Sequence, residues 1–316
     1  MKAIIIRTFG GPEVMEIAEV PTPEPQAGEV QIKVTYAGVN PVDWKIREGK
    51  LKERLPHEFP IILGWDVAGV ISKVGANVSP QRIGEEVFAY ARKPIVQWGT
   101  YAEYICLDAQ YVVRKPKALS LQQAASIPLA GLTAWQSLIE FAKIKPHDKV
   151  LIHAGAGGVG SMAIQFAKYC RAHVITTARS ANHEYVRSLG ADIAIDYTKV
   201  NFATKIKELF PQGVDVVFDT LGGKTLEASY PIVKRGGRLV SIAQPLDASL
   251  GEKFGIITGY VFVRPDGIHL KTIADLINSS KVSPPKIEEY PLERSAKALE
   301  TVKEGHTQGK IVLRVA

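Results

Sequence analysis

The chain has 316 residues, enough for two domains with cores of their own, and its 46% hydrophobic and 22% charged residues suit an ordinary globular protein. Lys and Arg number 39 against 32 Asp and Glu, a net charge of +7 spread without a block of like charges, which argues against a nucleic-acid-binding arm. Its two cysteines, Cys106 and Cys170, exclude a disulfide framework and a cysteine zinc site, and they point to a reducing cytoplasm.

Taken in order, residues 1–7 meet a charge too early for a signal peptide. Short runs at 3–6, 14–17, 29–34, 65–71, 86–90 and 100–105, several of them alternating, are separated by Gly, Pro and Asn turns. They predict a compact, partly open β-barrel. Residues 121–141 read as helical, broken at Pro128 and Gly131. From residue 150 the pattern changes to strands at 150–152, 173–177, 192–196, 215–219, 238–243 and 260–263 with helices between them. Six such strands predict an α/β doubly wound parallel sheet. A helix at 270–278 and a strand at 310–315 close the chain. The uncharged stretches 118–139 and 150–167 raise a membrane question, but Ser, Gln and Pro run through the first and four glycines sit in the second, so neither is expected to span one.

The most informative stretch follows the strand at 150–152. Gly155, Gly157 and Gly160 have the spacing in which the first glycine permits a tight turn, the second lets the backbone approach a pyrophosphate and the third lets helix pack on strand. Gly158 loosens the loop further, and the N–H groups of Gly157, Gly158, Val159 and Gly160 are expected to face the phosphates. About twenty residues on, where an acid would hold a ribose hydroxyl, the next strand ends in Ala178-Arg179-Ser180. An arginine and a hydroxyl suit a 2′-phosphate, which favours NADP(H) over NAD(H). Ser180 also reads as the cap of a helix beginning near Ala181.

Several motifs in register carry a family resemblance. Residues 38–49 (GVNPVDWKIREG), 64–70 (GWDVAGV), 99–104 (GTYAEY), 130–134 (AGLTA) and 154–160 (AGAGGVG) occur in the order seen in the medium-chain dehydrogenases and reductases. The chain most resembles their zinc-independent, zeta-crystallin-like quinone oxidoreductase branch. The resemblance implies a GroES-like catalytic domain at 1–125, a Rossmann NADP-binding domain at 126–265 with a cofactor cleft between the two, a C-terminal segment at 266–316 that returns to the first domain, and a homodimer. Zinc-dependent relatives are similar to a pattern with Cys near position 40 and His-Glu in the next motif, where this chain has Asn40 and Trp65-Asp66. A zinc ion needs thiolate or imidazole ligands, and the seven histidines show no paired spacing to supply them, so no metal is expected.

The resemblance also implies residue roles. Asn40 matches an asparagine near the nicotinamide whose amide donates to a substrate oxygen, and it also reads as shaping the turn before Pro41. Asp43 reads either as holding Asn40 or as the cap of a helix ahead of Trp44. Thr133 matches a contact to the nicotinamide half, or else bonds its own helix. Tyr197 matches a tyrosine along the adenosine phosphate, or is a half-exposed aromatic at a strand end. Ala243 and Val263, at the ends of the fifth and sixth strands, are expected to line the nicotinamide through backbone groups, with Asp219 and Thr220 at the switch point. Tyr101 reads as a strand residue and His153 as a buried or wall histidine. With no metal to polarise a carbonyl, a quinone or enone suits the site, because conjugation delocalises the charge left by hydride. An NADPH-dependent quinone oxidoreductase is therefore expected, with an enoyl-thioester or alkene reductase, or a non-catalytic NADPH-binding sensor or structural protein, as alternatives.

Overall fold

The computed structural model describes residues 1–305 and 307–316. It divides into two compact units, the first comprising residues 1–129, 264–280 and 284–316 and the second residues 130–263 and 281–283.

The first unit is built from β1 (Lys2–Ile6), β2 (Glu16–Glu19), β3 (Glu29–Val39), α1 (Pro41–Arg47), β4 (Ile61–Ile62), β5 (Asp66–Val74), β6 (Glu86–Tyr90), β7 (Tyr104–Asp108), β8 (Val113–Arg114) and α2 (Leu121–Ala125). Strands β2-β1-β4 form a small sheet, and β3, β5, β6 and β8 lie in a larger one with β7 also on β3. The larger sheet hangs on β3, which runs five residues beyond the predicted 29–34 because its far half pairs with β5 down to Gly38↔Asp66. Gly38 has no room for a side chain: a Cβ there would lie 2.4 Å from the Ala125 carbonyl. Two other predicted strands move. Pro12–Val14 is a 3-10 turn, helped by proline in its first turn, so β2 begins at Glu16 rather than residue 14. Residues 100–103 are not a strand; apart from one bridge, Ala3↔Ala102, pairing starts at Tyr104.

The second unit carries β9 (Lys149–Ile152), β10 (His173–Thr177), β11 (Ile193–Ile195), β12 (Val214–Asp219), β13 (Val233–Ser241) and β14 (Ile257–Tyr260), all parallel, in the order β11-β10-β9-β12-β13-β14. Counted from β9 this is 3-2-1-4-5-6, the dinucleotide-binding order whose switch point lies between the first and fourth strands. The α/β fold class matches the sequence expectation. α3 (Pro128–Trp135) runs straight through Gly131, so the predicted break there is absent; the chain interrupts only at Ser126-Ile127, ahead of Pro128. α4 (Gly158–Tyr169), α5 (His183–Ser188), α6 (Phe202–Leu209), α7 (Gly223–Ser229) and α8 (Ala248–Phe254) alternate with the strands. Leu151, Ile175, Val217 and Leu239 are fully buried with Ile206 and Leu226 from the helices, the continuous apolar strand pattern of a sheet covered on both faces.

After α9 (Gly267–Asn278), β15 (Ile287–Pro291), α10 (Ser295–Glu304) and β16 (Lys310–Arg314) belong to the first unit. β16 pairs antiparallel with β3 from Ile311↔Val39 to Arg314↔Tyr36. The tail therefore completes the sheet begun at the other end of the chain. Among the described residues no helix is long and apolar enough to cross a membrane.

Candidate functional site

Two polar constructions, one in each unit, carry the candidate site residues. In the second unit, β9 ends at Ile152 and α4 begins at Gly158, capped by Gly157 with no side chain bonded to its first turn. The free N–H groups of that turn make an anion site. Two of the glycines depart from expectation: the Gly157 N–H, expected to face the phosphates, is spent on the Ala154 carbonyl at 3.0 Å, and Gly155 does not make the tight turn. The tight left-handed residue is Ala154, with φ of 51°, held by its N–H to Thr177 Oγ1 at 3.1 Å, whereas Gly155 is required by packing: its Cβ would sit 2.0 Å from Thr176 Oγ1. Gly160 is equally confined, 2.3 Å from the Ala154 carbonyl. A Cβ on Gly157 would meet only Ala154 O, at 3.4 Å, so the space above Gly157 is not used by the protein. α4 itself is buried nearly all round, through Gly160, Ser161, Met162, Ile164 and Phe166.

Beyond β10 the chain exposes Arg179 and Ser180. Arg179 Nε donates to Tyr197 Oη at 3.1 Å, and Lys199 Nζ donates to Ser180 Oγ at 2.9 Å. Ser180 is not a helix cap; Arg179 occupies that position, and the Ser180 hydroxyl donates to Asp196 Oδ2, which also accepts the Ser180 N–H. Its one proton is thereby committed, so any phosphate must be met by Arg179 and Lys199. Those hydroxyl and backbone bonds, with Thr198, hold the Asp196 carboxyl well below the usual carboxylate range.

His153 and Thr133 are the buried polar side chains of interest. His153 is wholly buried between Thr177 Oγ1 (3.2 Å) and Ser229 Oγ (3.0 Å), and burial lowers its pKa to about 3. It is a neutral structural imidazole. Thr133, in α3, is 3% exposed and its Oγ1 has no partner among the described residues. An orphaned buried hydroxyl is costly unless a ligand satisfies it.

In the first unit the construction centres on Asn40, which caps α1. Asp43, at the third helical position rather than the cap, accepts the Asn40 N–H at 2.8 Å and the Tyr101 hydroxyl at 2.9 Å, both on Oδ2. Pro41 opens the helix, where its missing N–H costs nothing. The Asn40 side chain turns the other way: Nδ2 donates to Asp66 Oδ2 at 2.8 Å, and Oδ1 accepts from Lys310 Nζ. Lys310 also donates to the Val39 carbonyl at 2.7 Å, and Asp66 Oδ1 accepts the Leu129 N–H at 2.7 Å. Every member is at most 5% exposed. Burial raises both carboxyls, Asp43 to about 7, while Lys310 opposes the rise; burial likewise lowers Lys310, opposed by Asp66 and Asp43. Trp65 packs edge-on to Tyr90, ring centroids 6.0 Å apart.

The comparisons bear on the family and the fold. Residues 26–117 match the alcohol dehydrogenase GroES-like domain and residues 189–313 the zinc-binding dehydrogenase domain. The chain is 38% identical to the NADPH-dependent alkenal/one oxidoreductase, chloroplastic, of Arabidopsis thaliana, over 99% of this chain and 79% of that protein. The quinone oxidoreductase from Coxiella burnetii superposes with a TM-score of 0.90 at 35% identity, covering 100% of this chain and 99% of that one. The Escherichia coli quinone oxidoreductase complexed with NADPH superposes at 0.89 with 28% identity and full coverage of both chains. The chain belongs to the zinc-independent quinone oxidoreductase branch of the medium-chain dehydrogenases and reductases.

Within that branch the remaining expected residues fall as follows. β13 ends at Ser241 and β14 at Tyr260, so Ala243 and Val263 lie two and three residues past their strands rather than at the ends. Ala243 N–H is taken by Ser241 Oγ at 3.1 Å, leaving its carbonyl as the backbone group to offer. Asp219 is buried and spends its carboxylate on Ser241 Oγ and the N–H groups of Leu221 and Gly222, a loop-holding role. Thr220 Oγ1 donates to the His153 carbonyl at 3.1 Å. Sequence reasoning passed over Asp66, Lys310, Asp196 and Lys199 as functional. For the first two a usable signal was present: a charged residue at the head of each of two apolar strands, Asp66 opening β5 and Lys310 opening β16.

Proposed function

We propose that this quinone oxidoreductase family member reduces quinones and related α,β-unsaturated carbonyl compounds with NADPH. The observation that carries the reading is the donor set around Asn40, buried amide and ammonium N–H groups with no thiolate or imidazole among them. Such a set polarises a carbonyl by hydrogen bonding alone, which suits acceptors that delocalise the incoming charge.

The residues fit NADP(H). Unused space above Gly157, an uncapped twelve-residue helix and the orphaned Thr133 Oγ1 match a pyrophosphate and a nicotinamide amide, and the cations Arg179 and Lys199 match a 2′-phosphate. When bound, the cofactor supplies the hydride. In this reading the N–H groups of Gly158, Val159 and Gly160 hold the diphosphate and Gly157, its own N–H spent on the Ala154 carbonyl, leaves room for it; Tyr197 keeps Arg179 extended beside the adenosine phosphate, and the backbone of Ala243 and Val263 lines the nicotinamide. Asn40 donates to the acceptor oxygen. Asp43 is a positioning residue, holding the Asn40 backbone from behind.

A homodimer and a cytoplasmic location belong to the same proposal. β14 is the edge of its sheet and leaves Ile257 48% exposed, the kind of edge that a second copy covers. Cys106 and Cys170 are both free thiols, as a reducing compartment keeps them. Acceptor-dependent oxidation of NADPH by the purified protein, with 1,4-naphthoquinone, 4-hexen-3-one and an enoyl thioester side by side, tests the activity. Turnover with the enoyl thioester alone would replace this substrate class, and stoichiometric NADPH binding without turnover would leave a sensor.

A further inference from the structure

Asn40 lies between a group that only donates and a group that only accepts. The Lys310 ammonium has three N–H donors and no acceptor, and an ionised Asp66 has acceptors alone. With Asn40 Oδ1 on Lys310 and Nδ2 on Asp66, both contacts are charge-assisted hydrogen bonds. The opposite orientation would set the amide NH2 against the ammonium and the amide oxygen against the carboxylate. At 1%, 5% and 0% exposure for Asn40, Lys310 and Asp66, water has no access to soften those two clashes. The ends of the clamp are themselves fixed, Lys310 by the Val39 carbonyl and Asp66 by the Leu129 N–H. Lys310 is not needed to hold β16 in place, since the backbone ladder from Ile311↔Val39 onward does that.

We propose that Lys310 and Asp66 are positioning residues that lock the Asn40 amide in one orientation, so that its second Nδ2 proton is the group offered to the acceptor oxygen. The inference rests on the reading of Asn40 given above and adds the device that enforces it. Without the clamp, an asparagine amide has two nearly isosteric states, and in one of them oxygen faces oxygen.

The decisive variants are Lys310→Gln and Lys310→Arg, both in the full chain. Glutamine fills similar space and can donate or accept, and it removes the ammonium 3.5 Å from Asp66 that opposes protonation of that buried carboxyl, so both ends can then donate or accept and both amide orientations are permitted; arginine donates only and keeps the charge beside Asp66. In the 15N-labelled protein the Asn40 side-chain amide, assigned through its loss in Asn40→Ala, should give one set of signals in wild type and Lys310→Arg and two sets in Lys310→Gln. With 1,4-naphthoquinone as acceptor, kcat should fall about tenfold or more in Lys310→Gln with KM for NADPH nearly unchanged, and Lys310→Arg should recover most of it. One amide set in Lys310→Gln, or equal kcat in the Gln and Arg variants, would overturn the clamp. Two sets in Lys310→Gln together with an unchanged kcat in Asn40→Ala would keep the clamp and overturn the catalytic reading of Asn40, so the two failures are told apart.

Discussion

Asp43 makes the sharpest stability prediction. It is wholly buried, and among the described residues both of its side-chain hydrogen bonds arrive on Oδ2 and Oδ1 has no partner. Burial raises its pKa from 3.8 to about 7, against the lowering effects of Asn40, Tyr101 and Lys310. The folded state thus keeps a proton that the unfolded chain releases near pH 4. The associated stability is complete below the unfolded pKa and is lost as pH rises through about 7. At about 1.4 kcal/mol per pKa unit the whole span is roughly 4 kcal/mol, of which about 2 kcal/mol is lost between about pH 5.5 and 8.5. Asp43→Asn removes the charge while its carbonyl oxygen can take both bonds, and its amide NH2 lacks a partner as the protonated carboxyl O–H does. The variant should therefore match wild type below about pH 4, exceed it by roughly 2 kcal/mol near pH 5.5, and exceed it by roughly 4 kcal/mol near pH 8.5. Urea unfolding followed by tryptophan fluorescence reads this, since Trp44, Trp65 and Trp98 share a unit with Asp43 and Trp135 lies in the other. Parallel stability curves for wild type and variant across that range would refute the assignment.

The other unit should respond to pH with the opposite sign. His153 has a folded pKa of about 3, below its unfolded value, so its contribution is present above about pH 6.5 and falls by about 2 kcal/mol between about pH 7 and 5; His153→Gln should flatten that loss, and an unchanged acid slope would contradict it. Gly155→Ala should destabilise the second unit by about 1–3 kcal/mol through its clash with Thr176 Oγ1, whereas Gly157→Ala should fold normally and weaken NADPH binding about tenfold or more, as measured by cofactor fluorescence. Arg179→Ala and Lys199→Ala should each weaken NADPH about 10- to 100-fold while barely changing NADH, and equal losses for the two cofactors would remove the 2′-phosphate assignment.

What the sequence made legible follows from how local each signal is. The parallel sheet could be read because its strands are continuous apolar runs with helices between them, and the glycine spacing located the start of α4. Strand ends were harder: β13 begins at Val233, five residues ahead of the expected 238, because parallel pairing with β12 carries it through a local irregularity and across Gly236-Gly237. The extent of β3 depended on β5 and on β16, whose Ile311 pairs with Val39 from the far end of the chain. For the same reason the Asn40 clamp was out of reach. Asn40, Asp66 and Lys310 come together only when β3, β5 and β16 lie side by side, and no spacing along the chain encodes that meeting.

In the proposed reaction Asn40 and its buried donors serve a hydride acceptor while the loop at Gly157 and the cations beyond β10 hold NADPH. Single-turnover stopped flow with saturating NADPH and 1,4-naphthoquinone, comparing wild type with Asn40→Ala, tests it most directly. NADPH absorbance should fall rapidly in wild type and about tenfold or more slowly in the variant, at unchanged NADPH affinity. Equal single-turnover rates in the two proteins, or no acceptor-dependent loss of NADPH in wild type, would contradict it.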